Sequence, residues 1–293
     1  MVAQLAIAPE GLIAAARTPD RIVVLGLPGG ALYGEIGVPP LEAGESRRFA
    51  WVGNHLLVAT RRASHTDLLL LEPTREHVRE LAELRVDAPM TLAAAVGEHA
   101  LLAGDDAATV FADGAPPALH PIPGKLSMKL TGAAGDRFVT GHGSWIDEWN
   151  PTLRKPGRRL QVPGGAELLA VGGSARLVWM IAARAPHRVH VIQLVHRNQP
   201  RLHELPAAIS EVVSHPQHDL IACIAADRRQ IFLVDLDRSP SRWHSFTPDE
   251  RDPIAALAID RGRAHLVAIG ESGSLASFAL APEGFVVRRV ETA

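Results

Sequence analysis

The chain has 293 residues, 47% of them hydrophobic and 21% charged, a composition able to build a core and far from that of a disordered chain. Lys and Arg total 30 against 32 Asp and Glu, so the formal charge is -2 and the pI about 6.7, which leaves no global electrostatic footprint for nucleic acid or an anionic membrane surface. A single cysteine, Cys223, excludes an internal disulfide and any Cys-based zinc cluster.

In chain order, the first stretch, MVAQLAIAPEGLIAAA, is apolar but lacks a basic n-region and is interrupted by Pro9 and Glu10, so it is expected to form two strands and not a signal peptide. Strands RIVVLGL and ALYGEIG complete a first unit of four. The same unit recurs from end to end, each time opening on a hairpin whose turn carries Gly, Asn, Asp or Pro. The second copy is RRFAWV, a turn at Gly53-Asn54, HLLVAT, DLLLLE and a charged last segment. The third is TLAAAV, a turn at Gly97-Glu98, HALLAG, ATVFA and ALHPI. The fourth is LSMKLTG, a turn near Gly135-Asp136, RFVTG, WIDEWN and GRRLQV.

AELLAV, a turn at Gly172-Gly173-Ser174, ARLVWMIA, HRVHVIQLV and PRLHEL make the fifth copy. The sixth, Ile209 to Phe246, is the clearest: a strand to Ser214, a turn at His215 to Asp219, then Leu220–Ala225, a charged turn at Asp227 to Arg229, Gln230–Leu236 and a polar strand over 241–246. The seventh is IAALAID, a turn at Arg261-Gly262, HLVAIG, SLASFAL and GFVVRRV. First strands recur every 38 to 46 residues or so, the period of a four-stranded propeller blade. The expected fold is therefore all-β: a seven-bladed β-propeller with four antiparallel strands per blade, one domain over 1–293. Its blades cover about 1–40, 45–85, 88–122, 125–163, 165–205, 207–247 and 252–291.

A gradient within each unit supports a propeller over a sandwich. First, second and third strands are nearly continuous apolar runs, as strands covered on both faces require, while last strands such as PRLHEL mix in charge, as solvated edges do. One segment conflicts with the repeat. Pro73 to Arg85 places Val78, Leu81 and Ala82 at helical spacing among helix formers, yet the register demands a strand, and strand is the reading taken.

The stretches ISEVVSHPQHDLIACIAADRRQIFLVDL and LAIAPEGLIAAARTPDRIVVLGL resemble diverged WD-repeat blades over essentially the whole chain. Third strands ending Trp149-Asn150 and Val234-Asp235 stand where that family has Trp-Asp, and its Gly-His pair is not repeated here. The resemblance implies a toroid whose narrow face carries the turns between second and third strands and the connections between blades. It also implies a docking platform, in the way that lone propellers serve as subunits of larger assemblies, including bacterial ones with an ATPase partner.

On that face the repeat gathers Arg17, Arg61, Arg62, Arg184, Arg188, Arg228 and Arg229 with Asp105, Asp106, His142, Asp227 and Glu271. Arginine is enriched in interfaces, so these seven are the expected partner-binding residues, and the partner is expected to be a protein, not nucleic acid or membrane. No cofactor is expected, and the expected location is the cytoplasm. The competing reading is a metal-dependent lactonase or hydrolase with a site at the channel mouth, for which His142 with Asp147 is the candidate ligand pair. His187/His190 lie three apart on a strand and so face opposite ways, and His215/His218 belong to a turn. Gly270-Glu271-Ser272-Gly273-Ser274 lacks the last Gly of a nucleophile elbow and reads as a turn, and Cys223, mid-strand among Ile221 and Ile224, reads as a buried thiol.

Overall fold

The computed structural model describes residues 4–8, 13–17, 21–26, 31–74, 77–105, 107–114, 116–122, 130–152, 155–194, 200–215, 218–237, 242–259, 265–280 and 287–290. Among these the chain runs as antiparallel meanders of four strands. The first is β1 (Leu5–Ile7), β2 (Ile13–Arg17), β3 (Arg21–Gly26) and β4 (Ala31–Gly37). The second is β5 (Ser46–Val52), β6 (His55–Arg61), β7 (Thr66–Pro73) and β8 (Val78–Val86). Next come β9 (Thr91–Val96), β10 (His99–Ala103), β11 (Ala108–Ala112) and β12 (Ala118–Ile122), then β13 (Leu130–Ala134), β14 (Arg137–His142), β15 (Trp145–Asn150) and β16 (Lys155–Gln161). A 3-10 turn at Pro163–Gly165 leads to β17 (Leu168–Gly173), β18 (Leu177–Ala182), β19 (Arg188–Gln193) and β20 (Arg201–Glu204). The chain closes with β21 (Ile209–Ser214), β22 (Leu220–Ala225), β23 (Ile231–Asp235) and β24 (Arg242–Phe246), then β25 (Ile254–Ile259), β26 (His265–Gly270), β27 (Leu275–Leu280) and β28 (Val287–Val290).

The arrangement is that of a propeller of small antiparallel sheets, because each meander can bury its two faces only against its neighbours. Leu177, Trp179 and Ile181 of β18 pack on Ile221, Cys223 and Phe232 of the next meander, whose opposite side chains Ala222, Ile224 and Leu233 pack on Leu257, Leu266 and Phe278 of the one after. Val52 and Leu57 likewise meet Leu92 and Leu102, and Val96 and Leu101 meet Phe138 and Trp149. Leu5 and Ile7 of β1 pack on Ala256, Ala258 and Val267, so the first meander closes against the last by side-chain packing. Period-2 alternation therefore sends successive side chains into two different cores, which is why second and third strands read as unbroken apolar runs. Each aliphatic side chain fully buried this way contributes about 1.5–3 kcal/mol over leaving it in water.

Five meanders stand as separate four-stranded sheets, and two share one eight-stranded sheet in the order β16-β15-β14-β13-β17-β18-β19-β20. The seven separate blades expected from the sequence are thus six sheets. The junction is a parallel contact, Ala134 opposite Gly173, and glycine makes it possible. A Cβ on Gly132 would stand 2.1 Å from the carbonyl oxygen of Val171, and one on Gly173 would stand 3.0 Å from the Ala134 Cβ across the junction. Without side chains there, the two first strands approach close enough to hydrogen-bond.

Val78–Val86 is a strand, as the repeat register requires, and its helix formers are overridden by pairing with β7. The register shifts between Leu70 and Leu71, so Leu81 is bulged outward and exposed while Ala82, Leu84 and Val86 point to the core. That extra residue is what gave the segment its helix-like apolar spacing. Turns expected at Pro9-Glu10-Gly11 and Arg261-Gly262, the opening residues of the LSMKLTG and GFVVRRV strands, and Asp106 lie outside the described residues.

Candidate functional site at the turn face

First strands start, and second strands end, at one end of the molecule, and backbone bonds stitch that end together. The amides of Ala183, Ala226 and Glu271, in turns between second and third strands, donate to the carbonyls of Glu167, Ala208 and Pro253, in the connections leading into the same meanders. Between meanders, the Ile209 amide donates to Pro186 and the Ile254 amide to Arg228, at 3.0 and 2.7 Å. Local sequence allows this because Pro, Gly and Asp in these segments favour turns and leave amides and carbonyls free to cross-link.

A bulge recurs at the start of β17, β21 and β25, where Leu168/Ala170, Ile209/Glu211 and Ile254/Ala256 bracket one extra residue. The bulged residues are Leu169, Ser210 and Ala255. Leu169 is the large apolar one, and it is 43% exposed. It borders two cavities. One, of ≈ 440 Å³, is the central space lined by all the first strands, including Ala50, Ala95, Ala133 and Gly172. The other, of ≈ 740 Å³, lies at the turn face between His142, Ser144, Glu167 and Leu169, and Leu130 borders both.

Arg61, Arg62, Arg184, Arg188, Arg228 and Arg229 all lie at the ends or in the turns where a second strand passes into a third. Arg17 ends β2 at the equivalent place, and its side chain lies outside the described residues. Their side chains do different work. Arg62 is spent on Glu45 at 2.6 Å and Asp67 at 3.2 Å, and Arg188 on Glu204 at 2.9 Å. Arg228 has a positive φ of 59° and donates Nε and Nη2 to the carbonyl oxygens of Ile254 and Ala255, at 2.7 and 2.6 Å, so it ties two meanders together. Arg229 reaches the Glu250 carbonyl at 3.3 Å. Arg61 and the exposed Arg184 make no ion pair or side-chain hydrogen bond among the described residues.

His142 and Asp147 do come together. His142 Nε2 lies 3.0 Å from Asp147 Oδ2, with side-chain exposures of 42% and 5%. Arg159 grips the same carboxylate with two parallel bonds, Nε to Oδ1 at 2.7 Å and Nη2 to Oδ2 at 2.9 Å. Burial alone would raise the Asp147 pKa, but the hydrogen bonds from Arg159 and His142 outweigh it and hold the carboxyl below its ordinary range. Both oxygens are thus committed to a guanidinium and an imidazole, an arrangement that anchors a turn and does not present a ligand pair. The Arg159 guanidinium also lies 5.9 Å from the centre of the half-exposed Trp145 ring. Below it, the Trp149 indole donates to Thr140 at 2.8 Å within the buried layer.

His215 and His218 have ring centres 4.4 Å apart, and His215 Nδ1 accepts the His218 amide, which makes them turn chemistry. In the Gly270–Ser274 segment the Asp252 carboxylate accepts from the Ser272 amide and from both serine hydroxyls, so neither serine is presented as a nucleophile. Cys223 is fully buried and its thiol pKa is pushed up by burial. Among the described residues no group of three or more His, Cys, Asp or Glu is placed to hold a metal ion.

Two surface residues escaped sequence reasoning. Leu169 is the second of a Leu-Leu doublet opening a strand, and Arg48 the second of an Arg-Arg doublet; Arg48 is exposed while Arg47 is buried against Thr60 and the Pro39 carbonyl. A doublet at the head of a first strand is the signal that could have found them, since alternation cannot hide both members in the same way.

No protein-family model matches the sequence, and no curated protein does. Solved structures do match in fold. Kluyveromyces lactis Hsv2 with loop 6CD replaced by a Gly-Ser linker aligns with a TM-score of 0.70 at 12% identity, covering 100% of this chain and 99% of that one. The β-propeller domain of Myceliophteria thermophila Cps50 (Swd1) gives 0.65 at 12%, covering 94% and 95%. Chaetomium thermophilum Raptor gives 0.70 at 13%, covering 94% of this chain but only 28% of Raptor, and a chain of the mitotic checkpoint complex gives 0.68 at 12%, covering 94% and 85%. At this identity the likeness shows the propeller fold, and it agrees with the WD-repeat-like reading of the sequence.

Proposed function

We propose that the chain is a non-enzymatic docking scaffold, a single seven-bladed domain that serves as a subunit of a larger assembly and holds a protein partner on its turn face. The seven-blade reading takes the eight-stranded sheet as two blades joined through Gly132 and Gly173, and keeps the boundaries near 1–40, 45–85, 88–122, 125–163, 165–205, 207–247 and 252–291. It is supported by the cyclic order in which the first strands meet, β1, β5, β9, β13, β17, β21, β25 and back to β1.

The observation that carries the docking role is Leu169, a large aliphatic side chain bulged into solvent where two cavities meet, on the face that also presents Arg61 and Arg184, unpaired among the described residues. A solvated apolar residue in a concave mouth rimmed by charge is the anatomy of an interface core with its polar rim. Similar folds occur in assemblies, the mitotic checkpoint complex among them, which supports the subunit reading by analogy of fold.

Affinity purification of the tagged full chain from its native cells, followed by cross-linking and mass spectrometry, tests this. Cross-links from Arg61, Leu169 and Arg184 neighbourhoods to a co-purified protein support it, with that protein lost from Leu169→Asp. Cross-links confined to the outer strands β8, β20 and β24 move the interface to the perimeter and defeat the reading.

A further inference from the structure

Arg48 and Arg61 belong to adjacent strands of the second meander. Arg61 is paired with Ser46, and Arg48 lies two residues further along the same strand, so the two arginines are diagonal neighbours on one face of the sheet. That face is the one whose lower positions, Ala50, Val52, Leu57 and Ala59, pack on the third meander. Above this packing, neither guanidinium makes an ion pair or side-chain hydrogen bond among the described residues. The acids close by in sequence are already taken: Glu45 by Arg62, and Asp67 by Arg62, His65 and Arg85. Two like charges set side by side repel, and the buried Glu211 that Arg48 reaches across the mouth is one acid for two guanidinium groups, so the pair keeps a net positive charge.

Arg48 also stands at the channel mouth. It is two residues above Ala50, which lines the same central cavity as Leu130 and Leu169. Its charge reaches Glu211 in β21, several meanders away around the ring, whose carboxyl is raised by burial and partly restored by Arg228, the Leu257 amide and Arg48. On the far side of the mouth, Glu167 and Arg184, one acid and one base, are both exposed on segments joined by the bond from the Ala183 amide to the Glu167 carbonyl. Two guanidinium groups against the single buried Glu211 leave the second meander's side of the mouth positive, and the exposed aliphatic Leu169 is on the fifth.

Resting on the docking reading above, we infer that this mouth recognises a partner segment in which a carboxylate side chain engages Arg48 and Arg61 while a neighbouring aliphatic side chain seats against Leu169 and Leu130. The carboxylate supplies the hydrogen-bonded counter-charge that neither arginine has among the described residues, and Arg can receive it through paired bonds. The aliphatic group removes Leu169 from water. A basic segment would instead meet two guanidinium groups, which makes the mouth selective in sign as well as in shape.

The test uses the full chain and fluorescein-labelled twelve-residue Gly/Ser peptides that carry one Glu and one Leu zero to four residues apart, with Lys/Leu and Gln/Leu counterparts, read by fluorescence polarisation. At one spacing or more, the Glu/Leu peptide should bind at least tenfold more tightly than either counterpart, and more weakly as salt is raised. Arg48→Glu with Arg61→Glu should abolish or reverse the preference for Glu, Leu169→Asp should weaken binding at least tenfold, and Glu83→Gln on the outer strand β8 should leave it within twofold, all with thermal unfolding unchanged. The inference is overturned if Lys/Leu peptides bind equally well, if no peptide binds above a Gly/Ser blank, or if the Arg48 and Leu169 variants bind as the parent does. Lys/Leu binding that is lost in Leu169→Asp would defeat the acidic preference while leaving the docking face standing. Cross-links confined to the perimeter in the preceding experiment would remove both.

Discussion

Arg228 and Ile254 hold each other by both ends: the Ile254 amide donates to the Arg228 carbonyl at 2.7 Å, and Arg228 Nε donates to the Ile254 carbonyl at 2.7 Å. With its second bond to Ala255, Arg228 seals the sixth meander to the seventh at the turn face. Charge-assisted bonds of this kind contribute about 1.5–3 kcal/mol each when intact. Arg228 is half-buried and the bonds share one side chain, so Arg228→Ala is expected to cost about 2 kcal/mol in urea denaturation. Arg228→Gly loses the same bonds but also relieves the positive φ, and should cost about 1 kcal/mol less than Ala. Equal losses for the two variants would show that the left-handed backbone carries no strain there.

Gly132 sets the contact between β13 and β17, and a side chain there has nowhere to go. Gly132→Val should destabilise by about 3 kcal/mol, through collision with the backbone of Val171. A variant as stable as the parent would mean that the two first strands can part without cost.

His203 is 1% exposed, between the fifth and sixth meanders, and burial holds its pKa below the ordinary 6.5. The unfolded chain therefore takes up a proton near pH 6.5 that the folded chain refuses until lower pH. Stability falls as pH drops below about 6.5, by at most about 1.4 kcal/mol per pH unit for this group, and the effect is absent above it. His99 and His190 are lowered by burial in the same direction. Denaturation midpoints of the parent and His203→Leu between pH 5 and 8 check this: the variant should show a shallower acid slope.

Cys223, buried in the core between β18 and β23, keeps its thiol protonated. A disulfide reagent such as DTNB should label it only as fast as the native chain opens, so labelling should accelerate with urea in step with unfolding. Rapid stoichiometric labelling in buffer would contradict the burial.

Much of this architecture is written locally. Leu220–Ala225 and Leu177–Ala182 are apolar runs between turn residues, and any such run in a repeat of this period must lie between two neighbours, so strand identity, repeat length and the propeller fold follow from the order of residues alone. Val78–Val86 shows the same logic prevailing over helix propensity, because pairing with β7 supplies what a solitary helix would lack. What each arginine does could not be read this way. Arg61 and Arg62 are adjacent and chemically identical, yet Arg62 finds Glu45 and Asp67 while Arg61 finds no ion pair among the described residues, since ion pairing depends on which groups the fold brings within a few ångströms. Leu168 and Leu169 differ in the same manner, one buried and one in solvent, because a bulge in strand pairing decided between them. Sequence set the repeat, because hydrophobic period and turn chemistry act between near neighbours in the chain. Only the closed tertiary structure chose the surface, because charge pairing, strand register and glycine contact are settled between residues that the chain itself keeps far apart.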